Sequence, residues 1–424
     1  MKIAVDLTPM RQGGENGGVK LATMEFLKGL QACMEDELQF LFFTADDTHE
    51  EVAPLLRERD LAFCVLRRVG RGNISQAIEL ATRSKLLARS VLQKHGVEVF
   101  YCPFGTLFFG SDEFPTVVMV VDTLHRDFPF SLPVQTREWR ELQFRKLIGS
   151  ADFFQVISEF TAQRLKSLYN VPPEQVFITR LPIHGRLNTL SCEREPFFFY
   201  PANFWVHKNH EILLIAYQIY LAKCAGHRPW ELVLTGHLDE RARFLQQVAA
   251  DLDITAHVKF LGHVAETELA KLYSTASSLV FPSLHEGFGI PIVEAMSFGL
   301  PIICGAETSI PEIAGNAAFY ADMRNPQELA DALYRIAGNE VLRSELVALG
   351  KERLKTFDFS TEVKRLADQF IAAARTRRAF RRRRVYLKDL NLIAVYYARA
   401  LARKALNAAV DVPMRIEQLS NMLL

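Results

Sequence analysis

The stretch SLVFPSLHEGFGIPIVEAMSFGLPIIC, residues 278–304, reads as strand, glycine loop, helix and strand. Its first apolar run stops at Pro282, and Gly287 and Gly289 then let the backbone approach a ligand closely. Pro291 stands where a helix should begin, a position at which its missing N–H is no loss. The predicted result is a ring of free N–H groups at a helix N-terminus, suited to a diphosphate. Glu286 falls in the loop and Glu294 in the first turn of the helix, so both can accept hydrogen bonds from sugar or ribose hydroxyls. Taken alone, Glu294 would equally serve to complement the helix dipole.

Outward from this unit the same alternation continues in both directions. Short apolar runs and amphipathic stretches follow one another from IAVDL through VEVFYCP, TVVMVVD and FFQVI, and again from FFFYPA through ELVLTG, VKFLG, SSLVFPS and LPIICG. Strand and helix in strict alternation predict an α/β chain with parallel sheets covered on both faces. The break near residues 191–196 divides the pattern into two doubly wound, Rossmann-like units, 1–192 and 193–355. A helix over 356–374 is expected to cross back to the first unit, followed by a basic tail at 375–424. Ligands of open α/β sheets sit beyond the carboxyl ends of the strands, so the loops after strands carry the candidates.

Three further loops supply them. In YPANFWVHKNHE, Lys208 lies before a helix, where a mobile ammonium can neutralise charge on a departing phosphate. In RQGGENGGVK, Gly13, Gly14, Gly17 and Gly18 offer backbone N–H groups to donor or acceptor, although the spacing is not that of a dinucleotide fingerprint. In VVMVVDTLHRDFP a strand is expected to end at Asp122, with His125 as the imidazole nearby. For Asp122 the plain alternative is a turn cap, and for His125 a structural histidine. Asp251 and Asp253 are the only compact pair of the Asp-x-Asp kind used by metal-dependent sugar transfer, and they fall away from the cleft edge, so no catalytic metal is expected.

The segment HEGFGIPIVEAMSFGLP, residues 285–301, resembles the signature of the retaining GT-B glycosyltransferases of family 4 (glycosyl transferases group 1). That signature is a Glu, seven residues and a second Glu within EGFG-x-P-x-x-EAM-x-x-G-x-P. VISEFTA, VKFLGHV and PEIAGNAAFY add to the likeness in the family's order, which covers roughly residues 1–375 and leaves out the tail. The resemblance implies a nucleotide diphosphate sugar as donor, no separate cofactor, and retention of the anomeric configuration. It implies that Glu286 holds sugar hydroxyls and that the backbone of Gly287, Phe288, Gly289 and Ile290 meets sugar and diphosphate. Glu294 would bind the ribose, Lys208 the leaving diphosphate, and the loop with His263 and Val264 would lie against the base. Two positions depart from the family: Asn203 stands where many members carry an Arg, and Val121 where many carry a His before the Asp. His207 or a side chain of the first unit is expected to make up the missing charge.

Composition agrees with a folded protein, with 49% hydrophobic and 23% charged residues. The start MKIAVDLTPM reads as a strand, and no apolar stretch is long enough to span a bilayer, so a cytoplasmic protein is expected. The six cysteines show no metal or disulfide spacing and read as buried free thiols. A net charge of +1 conceals an asymmetry: residues 375–424 hold twelve Lys or Arg against Asp389, Asp411 and Glu417, an excess of nine, leaving the remainder eight negative. This tail, with RRRR at 381–384, reads either as an amphipathic helix for an anionic membrane surface or as a helix packed on the protein or on a second copy in a homo-oligomer. No recognition module accompanies the charge, so nucleic acid is not an expected partner. Arg67, Arg68, Arg71, Arg83, Lys85 and Arg89 form a further basic stretch, and a glycan or lipid-linked acceptor at the inner membrane face would account for both. A nucleotide-sugar epimerase and a silent scaffold of a polysaccharide assembly complex are the rival readings.

Overall fold

The computed structural model describes residues 1–12, 16–34, 37–65, 91–106, 114–181, 187–225 and 228–376. The basic stretch at 67–89, Gly13 and Gly14, and the tail from 377 onward lie outside them.

The strands are β1 Lys2–Asp6, β2 Gln39–Ala45, β3 Leu61–Val65, β4 Val99–Cys102, β5 Thr116–Val120, β6 Phe153–Val156, β7 Val176–Ile178, β8 Phe197–Pro201, β9 Glu231–Thr235, β10 Val258–Phe260, β11 Ser278–Phe281, β12 Ile302–Cys304 and β13 Ala318–Tyr320. They form two wholly parallel sheets, ordered β3-β2-β1-β4-β5-β6-β7 and β10-β9-β8-β11-β12-β13. Each order reverses direction once, between β1 and β4 and between β8 and β11, and such a switch point opens a crevice at the carboxyl edge.

Burial on both faces explains the near-continuous apolar strands. In β1 the side chains of Ile3 and Val5 enter one core and Ala4 the other; in β4 Val99 and Tyr101 oppose Phe100 and Cys102 in the same way. The helix Gly18–Cys33 covers the first face with Phe26, Leu27 and Leu30, and the helix Val134–Ser150 covers the second with Phe144 and Leu147. The helix Phe359–Arg375 returns to the first sheet. Phe370 packs edge-on against Tyr101 at 5.0 Å, the carboxylate of Glu362 accepts from the Arg180 N–H at 2.9 Å, and a β-carbon on Gly29 would stand 2.5 Å from Val363.

Arg194 fastens the passage between the sheets. It donates to the carbonyls of Tyr273, Ser274 and Ala276 at 2.8, 2.9 and 3.0 Å, and also to those of Phe298 and Gly299. These carbonyls close the helices Glu266–Thr275 and Ile290–Ser297, whose last turns lack internal donors and favour a cation. Strand β5 stops at Val120, two residues short of the expected end, so Asp122 belongs to the loop. The thiols differ from expectation too: Cys102, Cys224 and Cys304 are buried, whereas Cys33, Cys64 and Cys192 are exposed. Among the described residues, no helix is long and apolar enough to cross a membrane.

Candidate active site

A cleft of about 1120 Å³ opens where the carboxyl edges of the two sheets face each other. The loops after β8 and β11, on either side of the second switch point, form one wall, and those after β1, β4 and β5 form the other.

The loop after β11 is pinned before it reaches the helix Ile290–Ser297. Thr308 Oγ1 accepts from the Glu286 N–H at 3.0 Å, while Ser309 Oγ donates to the Glu286 and Phe288 carbonyls at 2.9 and 3.3 Å. Leu284 N–H donates to the His207 carbonyl at 2.8 Å, joining this loop to the one after β8. Thr308 itself has φ +52°, a conformation that costs a β-branched residue of order 1–3 kcal/mol, and its hydroxyl is anchored by the Glu286 N–H. Gly289 has φ +102° at the helix N-cap, with Pro291 in the first turn. Gly289, Ile290 and Pro291 at the helix start line the cleft, while the Ile292 N–H is taken by the Gly289 carbonyl at 3.0 Å.

Lys208 closes a short 3-10 turn, Val206–Lys208, whose exit is set by Asn209 at φ +61°. The Asn209 amide donates to the carbonyls of Pro282 and Met323 at 3.1 and 2.7 Å, so one buried side chain fixes the β8 loop to the ends of two other segments. The Lys208 ammonium then reaches Glu286 Oε1 at 2.5 Å and lies 5.8 Å above the Phe281 ring. Both members of this pair are nearly buried, at 13% and 12% exposure, so each loses much if the other is removed. Glu294 lines the cleft from the second turn of the helix, not the first, which bears no acidic residue. Its Oε2 accepts from the buried Tyr273 hydroxyl at 2.8 Å, so a hydrogen bond and not the helix dipole sets its position.

On the opposite wall, Asp122 Oδ1 accepts from Arg140 at 2.6 Å and from the Leu124 N–H at 2.9 Å. Burial raises the Asp122 pKa, but Arg140, His285, the Leu124 N–H and His207 outweigh it and bring it down to about 2. His125 departs from its expected place. It is buried away from the cleft lining, with Nε2 3.0 Å from the Tyr169 hydroxyl and 3.3 Å from Glu141, and its ring 4.5 Å from that of Phe144. The imidazoles beside Asp122 are instead His285 and His207, which both line the cleft. His207 cannot make up missing positive charge, because burial and the neighbouring Lys208 lower its pKa to about 3 and leave it neutral near pH 7.

Of the remaining expected residues, Gly17, Gly18, Asn203, His263, Gly287, Phe288 and Ile290 line the cleft, and Val264 does not. Asn203 is engaged as a tie, accepting from the His237 N–H at 3.0 Å. Asp251 ends the helix Glu240–Asp251 and Asp253 follows it, both outside the cleft lining. Among the described residues, no group of three or more His, Cys, Asp or Glu is placed to hold a metal ion.

The two walls are in contact. A β-carbon on Gly287 would lie 1.8 Å from the Val121 carbonyl oxygen, and one on Gly18 2.6 Å from the Ile290 side chain. His285 Nε2 meets Asp127 at 3.2 Å, and Glu312 accepts from the Glu159 and Phe160 N–H groups, at 2.8 and 3.3 Å, where the helix Glu159–Tyr169 begins. None of these pairings was read from the sequence. The partners stand far apart in the chain, and only the glycines hinted at close approach.

Residues 188–353 match the family glycosyl transferases group 1. The chain is 26% identical over 239 residues to O-antigen chain mannosyltransferase B of Escherichia coli, covering 54% of this chain and 62% of that protein. It is 28% identical over 189 residues to O-antigen chain mannosyltransferase RfbU of Salmonella typhimurium strain LT2, covering 42% of this chain and 52% of that one. The matched stretch is thus less than two thirds of either relative. Among solved structures, a glycosyltransferase from Rickettsia africae ESF-5 superposes with a TM-score of 0.65 at 14% identity, covering 88% of this chain and 99% of that one. Anabaena Alr3699/HepE in complex with UDP and glucose gives 0.62 at 18% identity, covering 88% and 100%. WaaG, a glycosyltransferase involved in lipopolysaccharide biosynthesis, gives 0.62 at 15% identity, covering 87% and 99%. The chain therefore has the GT-B fold of solved glycosyltransferases, and its second sheet unit lies within a match to glycosyl transferases group 1.

Proposed function

We propose that this protein is a glycosyltransferase that moves a hexose from a nucleotide diphosphate sugar to a glycan or lipid-linked acceptor in cell-surface polysaccharide synthesis, with retention and without a metal. The observation that carries the reading is the Lys208–Glu286 pair set against a glycine-lined helix N-terminus at a sheet switch point, inside a cleft closed by both units. The names of the curated relatives support an O-antigen type of product and a mannosyl donor.

In this reading the nucleotide lies on the second unit, with ribose hydroxyls at Glu294 and the diphosphate at the N–H groups of the helix Ile290–Ser297. Lys208 neutralises the charge that grows on the β-phosphate as the anomeric carbon–oxygen bond breaks. The acceptor hydroxyl forms the new bond on the same face, its proton passes to the departing phosphate oxygen, and the nucleoside diphosphate leaves. Glu286 holds sugar hydroxyls and exchanges its contact with Lys208 for them when donor enters. The rival epimerase and scaffold readings are not favoured, because the matched family and the relatives are transferases.

Thermal shift against a panel of nucleoside diphosphates tests the donor site, since a ligand that prefers the native state raises its melting temperature. One selective response, lost in Lys208→Ala and Glu294→Ala, is expected. No response to any nucleotide would remove the reading. Release of nucleoside diphosphate coupled to a glycosylated product separates transfer from epimerisation, which would return a nucleotide sugar.

A further inference from the structure

Arg11, Arg140, Lys208 and Arg241 line the cleft. Arg140 is committed to Asp122 on the first unit's wall, and Lys208 to Glu286. Arg11 is exposed. Arg241 differs from the others in its position and its bonding. It stands in the first turn of the helix Glu240–Asp251, directly after the loop that leaves β9. That loop is pressed onto the one leaving β8: a β-carbon on Gly236 would lie 2.6 Å from the Ala202 carbonyl oxygen, and Asn203 accepts from the His237 N–H. Through Nη2 the guanidinium reaches Glu211, which sits three residues beyond Lys208 in the helix His210–Lys223. Lys208 and Arg241 therefore follow the neighbouring strands β8 and β9 and line the same cleft.

Two further observations give this placement a purpose. Arg241 Nε is shielded from solvent, yet it has no hydrogen-bond partner among the described residues. A donor of that kind is costly to leave unmatched, and a charged acceptor would repay it. His210, two residues beyond Lys208, is 1% exposed, stacked on Tyr200 at 4.8 Å and near Phe204 at 4.9 Å, with neither ring nitrogen bonded among the described residues. Burial, and then the charges of Lys208 and Arg241, hold its pKa at about 3. The imidazole thus registers both cations and adds no charge of its own near neutral pH. Asn203, on the β8 loop, accepts from the His237 N–H through Oδ1 and, as a neutral amide, brings no positive charge to an anion entering here.

We infer that Arg241 is the second cation of the donor site, placing its fork on the diphosphate opposite Lys208 while Glu211 holds the guanidinium in orientation. This rests on the donor reading given above and names a residue that the reading does not contain. Arg241 is a positioning residue for the leaving group: a fork of planar N–H donors fits phosphate oxygens, whereas the Lys208 ammonium acts as a point charge.

The test is calorimetric titration of the full chain with the nucleoside diphosphate that the wild type selects from UDP, GDP, ADP, CDP and dTDP, together with the matching monophosphate and nucleoside. Arg241→Gln should weaken the diphosphate about tenfold or more, the monophosphate less and the nucleoside little, with the unliganded melting temperature near that of the wild type. Arg241→Lys, which keeps the charge and loses the fork, should recover part of the diphosphate affinity. Should the Gln variant fail to fold, the Lys variant carries the test through a few-fold loss confined to phosphate-bearing ligands. Diphosphate affinity equal to wild type in either folded variant overturns the inference alone. So does an equal loss for nucleoside and diphosphate, which would place Arg241 on the base. A wild type that binds no nucleoside diphosphate removes the donor reading and this inference together.

Discussion

The two walls of the cleft are built on different plans. On the second unit, backbone does the positioning: Gly289 and Asn209 turn the chain at positive φ, and Thr308, Ser309 and Asn209 hold carbonyls and N–H groups from segments distant in sequence. Charged side chains are then presented from fixed loops. On the first unit, side chains position one another. Arg140 holds Asp122, Arg164 holds Asp127, and Glu141 joins Tyr169 and His125. A wall fixed by backbone suits a ligand part that never varies, such as a diphosphate, while a wall of side-chain pairs can be rebuilt for different acceptors without refolding the sheet.

The largest expected effect attacks the pinned wall at its charged centre. Glu286→Ala should lower kcat/KM by roughly 10²–10³-fold, because it removes the proposed sugar contact and leaves Lys208 without its partner. A coupled assay for released nucleoside diphosphate reads this, and a loss below about tenfold would break the contrast between the walls. Next comes the line where the walls meet. Gly287→Ala places a methyl group where the Val121 carbonyl now sits, so closure should fail and kcat drop by roughly 100-fold while nucleotide affinity stays within a few-fold. X-ray scattering should show a larger radius of gyration for the variant, and unchanged dimensions with unchanged kcat would refute the close approach.

A smaller effect separates the walls by pH. His207 and His210 on the second unit have pKa values lowered to about 3, so below their unfolded value of 6.5 the unfolded chain takes up protons that the native chain refuses. Their stabilisation is complete above pH 6.5 and is lost as pH falls towards 3, by about 1.4 kcal/mol per pH unit for each once well below 6.5. Asp122 acts in a lower window, with stability present above pH 3.8 and lost as pH falls towards 2. Urea midpoints at pH 7, 6 and 5 should decline steadily for the wild type and less steeply for His210→Phe. Equal slopes would mean that the buried imidazoles are not neutral.

The smallest effect falls behind the first wall. His125→Asn should cost about 1 kcal/mol of stability through the lost contacts with Tyr169 and Glu141, and leave nucleoside diphosphate affinity unchanged. A selective loss of affinity at unchanged stability would return His125 to the site.

What the sequence disclosed follows the same division. Residues 278–304 could be read directly because a strand, two glycines, a proline and two carboxylates act within one short span. The parallel sheets follow from alternation, which misses β2 and β3, whose aromatic and apolar runs lack a flanking pattern as clear as that of β11, and the three-residue strands β7 and β13. Lys208 could be located, yet its partner Glu286 is 78 residues away and its anchor Asn209 acts on Met323 across 114. Asp122 and His125 were drawn together by sequence spacing. The helical turn Leu124–Asp127 then carries His125 to the buried side, and His285, 158 residues beyond Asp127, comes to the cleft instead. Arg194 gave no signal at all, because the carbonyls it closes are identified only by where two helices end.

The return of the helix Phe359–Arg375 to the sheet on which the chain began has a mechanical consequence. The units are joined by two strands of chain, one after β7 and one at residues 355–358, so they behave as a door on two pins and not as a pair of tethered weights. Two fixed pivots remove twisting and sliding and leave one arc of swing. Each closing of the cleft should therefore bring Gly287 back to the same seat against Val121 along a single repeatable path.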